Sequence, residues 1–103
     1  DLPVLNSTIE NGSSPNYFEI SSVYPNPFNS ATNIEVFINS DSGNASLCIV
    51  DITGKKVETI FNEKVEAGRH LFSWNSNQNP SGIYFSVLKT NSSINTKKLM
   101  LIK

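Results

Sequence analysis

The side chains that could carry acid–base or nucleophilic chemistry are few in this sequence, and their spacing brings none of them together. His70 is the only histidine, so neither a Ser-His-Asp triad nor a multi-histidine metal site can be assembled. Glu63 and Glu66 have no second carboxylate that the sequence forces opposite them, as glycoside hydrolysis would require. We interpret them as solvated turn charges and His70 as a core or rim imidazole. The sequence predicts no catalytic residue.

Metal and cofactor sites are also disfavoured. The stretch 39–44 (NSDSGN) is superficially like a calcium loop, but its glycine comes one place early and Val50 stands where a bidentate Glu is needed. Cys48 has no partner for an internal disulfide, and its apolar neighbours indicate a small packed hydrophobe. The glycines are isolated, so no phosphate-binding loop is present. We predict no metal and no cofactor.

Composition points to one small folded domain. The chain has 103 residues, is 38% hydrophobic and carries a formal charge of −1, which gives no field that would attract nucleic acid. No apolar run reaches the roughly 18 residues of a membrane span. The aromatic residues are expected to supply the largest core side chains. The expected members are Phe72, Trp74, Tyr84 and Phe85.

Residues 1–17 differ in composition from the rest of the chain. They are rich in Asn, Ser, Pro and Gly, which is typical of a linker. The chain opens without a starting Met, so we expect it to be a piece excised from a longer protein. The predicted organisation is a linker over 1–17 that connects to something upstream, followed by a folded domain over 18–103.

Short runs of β-branched and aromatic residues recur between turn signals after the linker. The predicted strands are residues 18–24, 33–38, 45–52, 55–61, 69–74, 83–89 and 94–103. Strands without intervening helices favour antiparallel pairing, and a single seven-stranded sheet would leave one apolar face in water. The predicted architecture is therefore an all-β, immunoglobulin-like antiparallel sandwich of about seven strands.

Alternation within the strands predicts which side chains face the core. Ile34, Val36 and Ile38 share one face of their strand, and Leu47 and Ile49 share one face of the next. The same phasing places the indole of Trp74 in the core. The nearly unbroken apolar run at 83–89 predicts a central strand covered on both faces.

One segment also fits a helix. Val57, Ile60, Phe61 and Val65 have the spacing of a helical apolar face that ends at Gly68. The preceding turn at Gly54 and the all-β context favour a strand.

Six short motifs, in order, resemble one known family. They are YPNPFN at 24–29 with Thr32, DITGKKV at 51–57, AGRH at 67–70, WN at 74–75, PSGIYF at 80–85 and KLMLIK at 98–103. Together they resemble the type A C-terminal sorting domain of the type IX secretion system, over about residues 18–103. Ser30-Ala31 and Val50 depart from the family's usual proline-containing turn and aromatic residue.

The resemblance implies an immunoglobulin-like domain that directs an upstream cargo protein across the outer membrane of Bacteroidetes and is then removed by a sortase-like surface protease. The implied partners are the outer-membrane translocon, shuttle components and that protease. The chain would pass through the periplasm to the cell surface or medium. The implied recognition residues are Pro25, Asn26, Pro27, Gly54, Ser81, Gly82, Ile83, Tyr84, Lys98 and Lys103.

The terminal strand is expected to offer unpaired backbone groups and a basic end, which a translocon partner could recognise by strand addition and charge. The alternative function is a non-catalytic accessory module of an extracellular enzyme, either a spacer or a weak carbohydrate binder. A free-standing enzyme is disfavoured because no acid, base and nucleophile are paired.

Overall fold

Seven β-strands make up the fold in the computed structural model, which describes residues 18–38, 43–76, 78–90 and 93–103. They are β1 (Phe18–Tyr24), β2 (Ala31–Ile38), β3 (Gly43–Asp51), β4 (Lys56–Val65), β5 (Gly68–Asn75), β6 (Gly82–Thr90) and β7 (Ile94–Leu101). No helix occurs in the described residues, so none could cross a membrane. The predicted linker at 1–17 and most of the calcium-like stretch, at 39–42, lie outside them.

The strands form two antiparallel sheets that pack face to face. One sheet has the order β1-β2-β5 and the other the order β4-β3-β6-β7. The prediction of an all-β, two-sheet sandwich is confirmed. Predicted strand ends differ from the observed ones by a few residues, most of all in β4, which continues to Val65.

The core lies between the sheets and is built from the alternating inward side chains. Ile34, Val36 and Ile38 on β2, and Leu47 and Ile49 on β3, are buried as predicted. At the centre is Trp74, which is 0% exposed. Its ring lies 5.6 Å from that of Phe28 and 5.3 Å from that of Tyr84, in tilted and edge-on geometries that aromatic pairs favour.

Two register shifts in β4 explain why its apolar residues have helical spacing. Leu47 pairs with Phe61 and the next residue, Cys48, pairs with Thr59, so Ile60 has no partner residue on β3 and forms a bulge. Ile49 pairs with Glu58 and Val50 with Lys56, so Val57 forms a second bulge. Each extra residue resets the alternation of faces, so Val57, Ile60 and Phe61 all pack against the core. The strand prediction is therefore confirmed, and the helix-like pattern results from bulges.

Three expectations about packing are wrong. Phe85 does not join the core, because neighbouring Tyr84 takes the inward position and the Phe85 ring projects from the outer side of the sheet, half-buried. Cys48 also lies on that outer side. β6 is central in its sheet, as predicted, but no described element covers its outer side.

Replacing Trp74 with Ala should lower the free energy of unfolding by about 3–5 kcal/mol, because a large cavity forms where the two sheets meet. Leu71, on the same strand but 59% exposed, provides the control. Leu71→Ala should change stability by less than about 0.5 kcal/mol. Equilibrium unfolding in urea measures both, and equal losses would contradict the assigned core.

Candidate recognition surface at one end of the sandwich

The side chain of Asn26 pairs with the outer edge of β7. Its Nδ2 donates to the carbonyl oxygen of Lys98 at 2.9 Å, and its Oδ1 accepts from the backbone N–H of Met100 at 2.9 Å. A carboxamide carries the same donor and acceptor as a peptide group, so it replaces one residue of a neighbouring strand. Asn26 therefore caps an edge that would otherwise expose its backbone groups.

Phe28 continues this edge pairing with its own backbone. Its N–H donates to the Met100 carbonyl at 2.9 Å, and its carbonyl accepts from the N–H of Ile102 at 2.8 Å. These bonds form a parallel bridge with Leu101, and the Phe28 ring is buried. We call residues 25–28, which carry this pairing, the corner.

The corner is also fixed from the β2 side. The Thr32 hydroxyl, which is buried, donates to the carbonyl oxygen of Pro25 at 2.7 Å. The peptide bonds before Pro25 and Pro27 are both cis. Neither proline has an N–H to donate, so the pairing with β7 falls to Asn26 and Phe28.

The segment before β6 meets the last residues at the same end. The N–H of Lys103 donates to the hydroxyl of Ser81 at 2.9 Å, and Gly82 lies opposite Leu101 in the β6–β7 ladder. The Tyr84 hydroxyl donates to the Pro80 carbonyl at 2.6 Å, as in the tyrosine corner of immunoglobulin-like sandwiches. Tyr84 thus supports this loop from the core.

The turn between β3 and β4 forms the remaining part of the end. The N–H of Gly54 donates to the Asp51 carbonyl at 2.9 Å, and Gly54 has a φ of 90°, which favours glycine. Asp51 Oδ1 accepts from the Thr53 N–H, the Thr53 hydroxyl and the Lys55 N–H at 2.9, 2.6 and 3.1 Å. A groove of about 460 Å³ separates this turn from residues 79–84.

Hydrogen bonding and burial shift two pKa values at this end. The Thr53 hydroxyl, followed by the backbone N–H groups of Lys55 and Thr53 and the charge of Lys55, lowers the pKa of Asp51 below its ordinary 3.8 despite some desolvation. Burial raises the pKa of the Tyr84 phenol, and the Asp51 charge adds to that rise. Both shifts favour a fixed turn, since Asp51 stays ionised and Tyr84 stays neutral.

The ten residues that the resemblance implied for recognition all lie at this end. Ile83 is half-buried and Tyr84 buried, whereas the other eight are exposed. The exposed members are Pro25, Asn26, Pro27, Gly54, Ser81, Gly82, Lys98 and Lys103. Segments far apart in sequence therefore form one surface, which we call the motif end.

Sequence reasoning missed the partners that hold this end together. Asn26 bonds residues 72 and 74 positions away, and no local pattern indicates such a pairing. Asn95 was also missed: its Oδ1 accepts from the Ile20 N–H at 2.9 Å and joins the edges of β1 and β7. Its polarity in an otherwise β-like run was the only available signal.

The candidate chemical groups lie apart from the motif end. His70 sits at the rim of the core, as predicted, with Nε2 2.8 Å from the Glu66 carbonyl oxygen. Glu63 is exposed, but it lies within β4 and not in a turn. Within the described ranges, His, Cys, Asp and Glu form no cluster of three that could hold a metal.

Comparison with known proteins identifies a family. Residues 22–103 match the family described as the secretion system C-terminal sorting domain. No curated protein sequence matches the chain. Among solved structures, the fold resembles the crystal structure of dimeric latent PorU from Porphyromonas gingivalis, with a TM-score of 0.65 and 17% sequence identity. That similarity covers 91% of this chain but 10% of the PorU chain, and it establishes the fold alone.

The two-sheet sandwich places the chain among immunoglobulin-like β domains. Because the family match extends over most of its length, the chain belongs to the secretion system C-terminal sorting domain family. Such domains are the C-terminal sorting signals of the type IX secretion system, which carries proteins across the outer membrane to the cell surface or medium.

Membership of this family decides between a sorting signal and an accessory module. A sorting signal interacts with the machinery of its secretion system, and the family is non-catalytic in general. The alternative of an accessory module is not favoured. The family assignment was predictable from the sequence because the six motifs recur in order.

Replacing Asn26 with Ala should speed hydrogen exchange at the Met100 amide, because its acceptor is lost. It should also lower the free energy of unfolding by about 1–2 kcal/mol for two lost hydrogen bonds. Asn29→Ala is the matched control, since Asn29 is exposed in the same turn. Amide exchange followed by NMR measures the effect; unchanged protection of Met100 in the Asn26 variant would contradict the pairing.

Thr53→Val should raise the pKa of Asp51 toward 3.8, because it removes the strongest of the bonds that lower it. A group whose pKa is lower in the folded state stabilises the fold at pH values above its unfolded-state pKa. This stabilisation is lost as the pH falls through the folded-state pKa. The variant should thus be less stable than the unmodified chain near pH 6 and converge with it at about pH 2. Carboxyl NMR titration, with Asp51→Asn as the control, measures this; an unchanged Asp51 pKa would contradict it.

Proposed function

We propose that the translocon recognises this domain through the motif end as one composite surface. The observation that carries the proposal is the convergence of the corner, the Gly54 turn, the Ser81 segment and the last strand. Asn26 hydrogen-bonds the outer edge of β7, and Ser81 bonds Lys103 just after that strand. Eight of the ten implied residues are exposed there, so a partner can reach them.

Recognition by simple strand addition is not supported along the last part of β7. Asn26 already pairs with the Lys98 carbonyl and the Met100 N–H. Phe28 pairs with the Met100 carbonyl and with the N–H of Ile102, the residue that follows β7. The expectation of an unpaired edge is wrong for these residues. An added strand would have to displace the corner, so we favour recognition of shape and charge, with Lys98 and Lys103 as the cationic contacts.

The remaining steps follow from the family resemblance. The domain follows an upstream cargo in the same chain, and shuttle components bring both to the translocon. A sortase-like surface protease then cleaves within residues 1–17, whose polar composition suits an accessible segment, and the cargo is attached to the surface or released. The domain itself performs no catalysis.

A periplasmic reporter fused in front of residues 1–103 tests this proposal in a host that has the type IX system. The reporter should reach the surface or medium there and stay in the periplasm of an isogenic host without the translocon. Replacing Lys98 and Lys103 with Ser should reduce export by about tenfold. The matched control is Arg69→Ser with Lys97→Ser, which removes the same charge from exposed positions outside the motif end.

Substitution is a sharper test than deletion of residues 94–103. The deletion would remove Leu99 and Leu101, which are fully buried, and unfold the domain. Export that is equal in both hosts would refute sorting by this domain. An exported reporter that retains the uncleaved domain and binds glycans would favour the accessory module.

A further inference from the structure

The outer side of the four-stranded sheet combines an apolar centre with a cationic margin. Outward side chains near its middle are apolar and half-buried, namely Val50, Ile83, Phe85, Val87 and Met100. Four exposed lysines on the same side surround them, namely Lys56, Lys64, Lys89 and Lys98. We call this surface the basic face.

The strand register fixes this arrangement. Val50 on β3 lies between Lys56 on β4 and Phe85 on β6. Phe85 in turn lies opposite Lys98 on β7. Residues directly opposite each other project from the same side of a sheet. One row across all four strands is therefore cationic at both ends and apolar in the middle.

No carboxylate faces outward from the described strands of this sheet. Glu58 and Glu63 on β4 lie opposite the inward residues Ile49 and Ala45, and Glu58 accepts a hydrogen bond from the Trp74 indole at 3.0 Å. None of the four lysines forms an ion pair with a described residue. A chain of net charge −1 thus concentrates uncompensated positive charge on one surface.

The other sheet has the opposite character. Its outer side carries Glu19 and Glu35, and Glu35 forms an ion pair with Arg69 at 3.3 Å. The Ser21 and Ser22 hydroxyls also donate to the Glu35 carboxylate. The Glu35 carboxylate on this sheet therefore has partners within the domain, whereas the four lysines of the basic face form no ion pair with a described residue.

We propose that the basic face docks onto an acidic protein surface with an apolar centre. Protein interfaces combine an apolar middle with a polar rim, and opposite charges guide their association. An anionic membrane fits less well, because a membrane-bound surface inserts protruding apolar side chains. Here Phe85 and its neighbours are half-buried, so a protein partner of matching shape covers them better.

This inference deepens the proposed function and rests on it, because export is its readout. The full 103-residue chain, fused behind the reporter, is compared with the variant Lys56→Glu plus Lys89→Glu. Neither residue belongs to the motif end. Arg69→Glu plus Lys97→Glu is the matched control, with the same charge change at exposed positions that belong neither to the basic face nor to the motif end.

The basic-face variant should lose about tenfold in export while the matched control stays within about twofold of the unmodified chain. Phe85→Ser should lose export in the same way, whereas Leu71→Ser, exposed on the other sheet, should not. Thermal unfolding of each purified chain verifies that the variants are folded. Equal export by both double variants, or equal losses, would overturn the inference.

Two further outcomes separate the possible failures. If the unmodified fusion is not exported, the proposed function fails and this inference fails with it; export that is insensitive to the basic-face variants overturns the inference alone. Vesicles of phosphatidylglycerol and phosphatidylcholine test for a membrane partner. Binding by the unmodified chain that is lost in Lys56→Glu plus Lys89→Glu would assign the face to lipid and overturn the protein partner.

Discussion

The pairing of the corner with the outer edge of β7 is the constraint on which the rest of the motif end depends. β7 belongs to one sheet and the corner leads into the other, so four hydrogen bonds from Asn26 and Phe28 join the two layers at their margin. The same contact positions the Phe28 ring against Trp74. It also holds Ile102, and the next residue, Lys103, donates its N–H to the Ser81 hydroxyl, so separate motifs form one surface.

The interior of the domain supports this arrangement through packing and hydrogen bonds. Trp74 and Tyr84 fill the centre, and their polar atoms reach Glu58 and the Pro80 carbonyl, so no large polar group is buried without a partner at these positions. Asp51 organises the neighbouring turn through three local hydrogen bonds. This rigidity suits the recognition by shape proposed above.

Much of the fold was predictable because alternation along β2, β3 and β5 is a local property of the sequence. The face of Ile34 or Trp74 follows from its neighbours alone. Where alternation is interrupted, local reasoning fails: the bulges of β4 imitate helical spacing, and the unbroken apolar run of β6 conceals that Phe85 points outward. The ten residues of the motif end were taken from the family resemblance, and their role in recognition stays a prediction. Their assembly into one surface was not predictable, because Asn26 and its partners are more than 70 residues apart.

That separation delays the pairing of the corner during synthesis. The ribosome makes Asn26 long before it makes Lys98 and Met100, so the corner has no strand to pair with until nearly the whole domain has emerged. A chain interrupted by a premature stop codon, or clipped before β7, would therefore lack the assembled surface. Under the recognition proposed above, such a fragment would not be exported.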